Sequence, residues 1–296
     1  MNDRVETVLG PAEIAPGIVE AHAHVYIDPP GAGPTLRDEA LAVAELEGFS
    51  DAGGALVVDC QPGGAGRDGA ALARISRAAG VPIVAATGFH LRRYHASGQP
   101  WSDIAAARER FERELGERLD EAPDTRAGIV KTAWRADDPD QAELLRAAVG
   151  AAKAHDRGLV VHTEPDGPLD TLLETLRDAG AAPGRVQLSH VDKRADTGLH
   201  RELVAAGHVL GYDTFLRPKY RPDERVWPLL QAMLEDGGEE RITIGLDLVD
   251  STAWTTGGGP GLRAIADEVI PRLRAIGAGD RAVARLTRDN ALAVLG

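Results

Sequence analysis

Short apolar runs alternate with longer stretches whose apolar positions recur every three or four residues, and the alternation repeats eight times along the chain. The runs at 18–25, 55–60, 82–87, 128–133, 159–163, 186–190, 208–213 and 242–247 are mostly rich in Val, Ile and Leu and predict strands. The stretches between them, 37–49, 68–79, 102–121, 141–154, 169–179, 199–206 and 223–235, predict helices, with a terminal helical pair at 262–276 and 280–295. Gly80, Gly180 and Gly207 stand where helices should stop, because glycine enters the left-handed backbone that ends a helix without steric cost. Strands joined through helical crossovers run parallel, and eight such units are the number that closes a cylinder. The expected architecture is therefore α/β: a TIM (β/α)8 barrel, a single domain over residues 1–296, with an extra C-terminal helix.

Composition agrees with one large core. No Pro/Gly/Ser-rich linker divides the 296 residues, and with only four each of Trp, Tyr and Phe the interior must be built from Ala, Val, Leu and Ile. Branched aliphatics suit a parallel sheet covered by helices. The net charge of −13 argues against a nucleic-acid surface or a polybasic membrane contact, both of which need excess cations facing phosphates. No apolar stretch is long enough to span a bilayer, and the amino end, with Asp3 and Glu6, is too polar for a signal peptide. Cys60 is the only cysteine, so no intramolecular disulfide forms; a reducing cytoplasmic setting is expected, with Cys60 a small buried residue.

The polar residues that interrupt the strands carry the chemistry. In the first run, alternation places Glu20, His22 and His24 on one face and Val19, Ala21, Ala23 and Val25 on the other, which should turn the polar set into the barrel. Imidazoles two residues apart at a strand end can approach one metal ion together, although hydrogen-bonded core histidines would give the same pattern. Lys131 interrupts an apolar fourth strand, where an ammonium is costly to desolvate. Burial and nearby cations lower a lysine pKa, and a neutral amine can add carbon dioxide to form a carbamate able to bridge two metals; the other reading is a lysine that snorkels to the barrel mouth. His162 and His190 end the fifth and sixth runs, at the strand ends where barrel enzymes place their sites. Asp247 closes the eighth, either binding metal and accepting a proton or capping the next loop, and Gly245 before it should leave space near an ion. His-x-His, Lys, His, His and Asp on strands one, four, five, six and eight together indicate a metal centre, for which Zn, Mn, Co and Fe are all acceptable.

This constellation resembles the amidohydrolase superfamily and, within it, the phosphotriesterase family. The likeness covers nearly the whole chain: the lead-in VETVLGPAEIAPGIVE at 5–20, Gly66-Arg67-Asp68, VPIVAATGF at 81–89, and Asp289-Asn290-Ala291. It implies two divalent metal ions, zinc foremost, with His22, His24 and Asp247 holding one, His162 and His190 the other, and Lys131, carboxylated by carbon dioxide, bridging them with a hydroxide. It implies hydrolysis, one ion polarising a carbonyl or phosphoryl oxygen while Asp247 shuttles the proton to the leaving group. The family's habit also implies a homodimer. His22-Ala23-His24 departs from the more usual His-Glu-His.

The loops bear on the substrate. Lys219-Tyr220-Arg221-Pro222-Asp223 resembles the segment by which the family's lactonases for phosphorylated sugar lactones grip phosphate. Independently, Arg92, Arg93, Arg135, Arg217, Lys219 and Arg221 fall in loops of one rim, where they would bind an anionic small molecule or else pair with Asp213, Asp223 and Glu224. Tyr94, His95, Trp134, Phe215 and Trp254 either wall a pocket or pack these loops onto the barrel. Gly257–Gly261 lacks the spacing of a nucleotide-binding fingerprint and reads as a rim segment. The expected function is a lactonase or carboxylic esterase for a small anionic lactone. Phosphotriester hydrolysis, a mononuclear deaminase-like reaction and a metabolite-binding barrel without turnover are the alternatives.

Overall fold

The computed structural model describes residues 4–296 except 32, 98 and 139; Asp3 lies outside them. The chain opens with an antiparallel hairpin, β1 (Arg4–Thr7) and β2 (Gly10–Glu13), which the sequence pattern did not predict because each strand is too short to display alternation. The hairpin lies across the amino end of the barrel, where Val8 donates to Ile83 O at 2.8 Å and Glu6 pairs with Arg126.

Eight parallel strands follow in chain order: β3 (Ile18–Ala23), β4 (Gly54–Asp59), β5 (Ile83–Gly88), β6 (Ile129–Ala133), β7 (Leu159–His162), β8 (Val186–Ser189), β9 (Val209–Tyr212) and β10 (Ile242–Ile244). Their aliphatic side chains are buried in two clusters, the larger shared with the surrounding helices. The cylinder closes between β10 and β3 without a regular ladder. Asp247 N donates to His22 O at 2.9 Å, and one carboxylate oxygen of buried Glu20 accepts the amides of His22 and Leu246, each at 3.0 Å. Gly245 has a different role from the expected one. A Cβ there would lie 2.9 Å from the backbone N and Cβ of His22 and from Glu20, so the glycine admits strand one rather than making room for an ion.

The helices are α1 (Glu39–Asp51), α2 (Gly69–Ala79), α3 (Ile104–Gly116), α4 (Gln141–Ala154), α5 (Asp170–Asp178), α6 (Thr197–Ala205) and α7 (Val226–Glu235), then α8 (Ile270–Ala275), α9 (Asp280–Ala284) and α10 (Asn290–Leu295). Asp38, Asp68, Asp103 and Asp196 cap four of them by accepting first-turn amides, which sets starts that the apolar spacing placed less well. Helix α3 stops at Gly116 rather than 121. The segment beyond it turns back so that Glu121, with Glu114 of α3, grips the fully buried guanidinium of Arg67.

That cluster steadies the carboxyl end of β5. Arg67 donates to Ala86 O at 2.6 Å, Glu114 accepts the Thr87 hydroxyl, and Arg110 donates to Gly88 O at 2.8 Å. Gly88, at φ 112°, packs so closely on β6 that a Cβ would sit 1.9 Å from Lys131 O. The position of Lys131 therefore depends on a glycine and a buried ion cluster one strand away.

Candidate active site

At the carboxyl end of the barrel the six predicted ligands converge. Lys131 Nζ is 3.1 Å from His22 Nε2, and His24 Nε2 is 3.2 Å from Asp247 Oδ1. The His190 ring centroid is 4.7 Å from those of both His22 and His162. Two of these residues leave the strands predicted to hold them. β10 ends at Ile244, and Asp247 (φ 49°) and His190 (φ 64°) both occupy left-handed backbone, which swings their side chains over the barrel mouth. Such backbone in non-glycine residues costs energy that the surrounding contacts must offset.

Sequence reasoning missed the residue that orients this group. Asp213, fully buried just after β9, accepts from His190 Nδ1 at 2.6 Å and stands 3.2 Å from His22 Nδ1, which also has Ser189 Oγ at 3.1 Å. With Nδ1–H donating to Asp213, His190 keeps its Nε2 lone pair for an electrophile, while His22 turns Nε2 to the Lys131 amine. The signal was available, because Asp213 ended a predicted strand just as His190 and Asp247 did. Lys193 and Glu164 were missed too: Lys193 closes a short turn, Val191–Lys193, and Glu164 lies 3.4 Å from His162 Nε2.

Burial lowers the basicity of His22 and His190 far below that of free imidazole, with nearby ammoniums adding to the effect, and brings His162 to about 4. It lowers Lys131 as well, against the opposing pull of Cys60, Asp247 and Asp213. Burial also works against the Asp247 charge, yet the His24 hydrogen bond and Arg217 hold that carboxyl well below its usual range. Burial raises Asp213, helped by the neighbouring Asp247 charge. Cys60 is pushed up to about 12 by burial, leaving it an inert thiol.

The donor set fits divalent cations. His22, His24 and Asp247 offer ligand atoms within 4.8 Å of one another, as do His22, His190 and Asp213. Buried His162 Nε2 has no hydrogen-bond partner among the described residues. Imidazoles, an amine of lowered basicity and carboxylates sharing a buried space form a poor hydrogen-bonded core and a good cation cage.

Above the ligands lies a cavity of about 350 Å³ whose lining includes Arg93, Tyr94, Lys193, Arg217, Lys219 and Tyr220. Arg217 bonds Asp247 Oδ2 at 2.7 Å, and the ammoniums of Lys193 and Lys219 lie 5.5 and 4.8 Å from the centre of the Tyr220 ring. Other expected substrate contacts lie outside. Arg92 turns to Asp138 and Asp140 and covers Trp101, Arg135 pairs with Asp137, and Arg221 with Glu224. Trp134 has the opposite strand parity from Lys131 and packs among the outer core residues. Phe215 stacks on Trp227, Trp254 is buried, and His95 sits beneath the cavity loop, accepting His90 N at 2.9 Å. The aromatics thus mostly pack loops.

A parallel barrel whose mouth gathers four imidazoles, a lysine and an aspartate is the build of a metal-dependent hydrolase. The chain belongs to the phosphotriesterase family, whose model matches residues 3–295. It is 25% identical to a phospho-furanose lactonase of Mycoplasmopsis synoviae, over 99% of this chain and 92% of that protein. It is 26% identical to an N-acetyltaurine hydrolase of Tetraodon nigroviridis, over 86% of this chain and 77% of that one. The crystal structure of a lactonase from Listeria monocytogenes superposes with a TM-score of 0.87 at 23% identity, covering 99% of both chains, which places the fold. Among the described residues no helix is long and apolar enough to cross a membrane.

Proposed function

We propose that the protein is a lactonase or carboxylic esterase acting on a small anionic lactone of the phosphorylated-sugar type, with a binuclear centre. The observation that carries this reading is one cavity that has the candidate cation cage at its floor and Arg93, Lys193, Arg217 and Lys219 on its walls. A net-acidic chain that gathers cations around a buried site provides charge-assisted hydrogen bonds for an anion. The names of the two relatives agree, one specifying a phosphate-bearing lactone and the other a sulfonate-bearing amide.

His22, His24 and Asp247 would hold one ion and His162 and His190 the other, with Lys131, as its carbamate, between them. When bound, such ions supply Lewis acidity and lower the pKa of water to about 7. The chain's own residues do the rest. Asp213 fixes the tautomer of His190 and lies beside the His22 ring, and Arg217, one of the cavity cations, keeps the Asp247 carboxylate ionised and in place. Lys193, Lys219 and Arg93 bind the anionic end, and Tyr220 and Tyr94 wall the ring. Arg92 and Trp134 have no part in this reading. Zinc as the ion, a cytoplasmic setting and a homodimer belong to it as further expectations.

The test is turnover of a lactone panel before and after chelation, with metal counted per chain. Loss of lactone hydrolysis on chelation and its return with two ions per chain are expected. Turnover indifferent to metal removal overturns the proposal, one ion per chain favours the deaminase-like reaction, and faster cleavage of neutral phosphotriesters than of any lactone favours the phosphotriesterase. Metal and ligand binding without turnover of any ester leaves a binding barrel.

A further inference from the structure

His90 follows β5 and lines the cavity beside the metal-ligand histidines, its ring centroid 4.9 Å from that of His162 and 4.6 Å from Tyr94. Five imidazoles therefore reach one chamber, and the fifth must be either another ligand or something else. Its hydrogen bonds decide. The backbone N–H of Leu91 donates to His90 Nδ1 at 2.6 Å, so Nδ1 carries a lone pair and no proton. A neutral ring with Nδ1 bare has its hydrogen on Nε2, and a proton on both nitrogens would set Nδ1–H against Leu91 N–H. A ring locked in this form cannot offer Nε2 to a cation, because the lone pair there is used by the N–H bond.

Two hydrogen bonds of the loop hold this arrangement. His95 Nε2 accepts the backbone N–H of His90, so one imidazole anchors the backbone while the next backbone amide anchors the His90 ring. Nε2 has no protein partner among the described residues, and it is not sealed from the cavity. A preorganised donor with no acceptor of its own is what a substrate oxygen completes.

We propose that His90 is a specificity-determining residue, its Nε2–H donating to an oxygen acceptor on the substrate, with His95 as its positioning residue. The inference rests on the lactonase reading and narrows its substrate to a lactone bearing a free hydroxyl on the strand-β5 side. A purely aliphatic lactone would leave Nε2–H desolvated and unpaired, which penalises binding.

Two variants and two lactones of equal ring size, one hydroxylated and one deoxy, test it on the metal-loaded enzyme. The wild type is expected to prefer the hydroxylated lactone by about tenfold in kcat/KM. His90→Phe should lose most of that preference through KM while retaining its full metal content, and His90→Gln, which restores an N–H near the same point, should recover it. Nitrogen-15 NMR of the wild type should find the proton of His90 on Nε2. Loss of metal in His90→Phe would make His90 a ligand and overturn the proposal, as would unchanged preference in the Phe variant, no recovery in the Gln variant, or a proton on Nδ1. If the wild type cleaves no lactone, the lactonase reading fails by itself. The proton position and the metal content of the Phe variant then judge the donor assignment: Nε2–H with full metal sustains it, and either other result removes it.

Discussion

Lys131 Nζ lies 3.1 Å from Nε2 of His22, joining the fourth barrel strand to the first across the interior. Among the described residues no carboxylate pairs with this lysine, and burial lowers its basicity. A buried amine facing an imidazole lone pair is poor packing for a core and suitable ground for carbamate formation. Lys131→Ala is expected to lose bound metal and lactone hydrolysis together, read by elemental analysis and turnover on the same sample. A variant that keeps its ions contradicts the bridging role.

Asp213 accepts from Nδ1 of His190 and stands 3.2 Å from Nδ1 of His22, two candidate ligands. Asp213→Asn keeps the shape but weakens acceptance from Nδ1, and a drop of about ten- to a hundredfold in metal affinity is expected. Competition with a metal-binding dye measures it, and unaltered affinity would reduce Asp213 to a packing residue.

Arg217 holds the Asp247 carboxylate and lines the cavity. Arg217→Ala should raise KM for an anionic lactone by about tenfold, equivalent to 1.4 kcal/mol, and change KM for a neutral lactone much less. Steady-state kinetics on such a pair decides, and an equal effect on both would argue against anion recognition.

Glu114 gives a prediction on pH. Burial opposes its charge, but Arg67 and further hydrogen bonds hold its pKa below the ordinary value. A carboxyl depressed in the folded state adds stability that is present above the unfolded pKa of about 4.3 and is lost as pH falls through the folded value. Glu114→Gln should therefore cost about 3 kcal/mol at neutral pH, since it leaves part of the Arg67 charge unpaired in the interior. Denaturant unfolding across pH should show the gap between the two proteins narrowing below about pH 4.3. A gap independent of pH would mean that ionised Glu114 adds nothing.

The barrel and the convergence of six candidate ligands were legible because strand parity and strand ends leave local marks: His22 and His24 two residues apart, Lys131 amid apolar neighbours, and His162 and His190 at the ends of their runs. What escaped depends on contacts between distant segments. Arg67 reads as a loop charge until Glu114 and Glu121 are folded over it. Lys193 reaches the cavity only through the turn that follows His190, and His90 becomes a candidate donor only once Leu91 and His95 are seen around it. The rim cations divided partly for the same reason: the partners of Arg92, Asp138 and Asp140, sit in the adjoining loop, whereas Arg135 turns to Asp137 within its own, and only the folded chain tells a paired guanidinium from one facing the cavity.

The seam between the first and last barrel strands is fastened by the Asp247 amide and the Glu20 side chain instead of a continuous ladder. Because His22, His24 and Asp247 straddle that join, an ion held by them would act as a rivet across the junction that lacks a ladder. Loading the site and sealing the barrel would then be one thermodynamic event, and the exchange rate of a single amide, that of Asp247, would report the occupancy of the site.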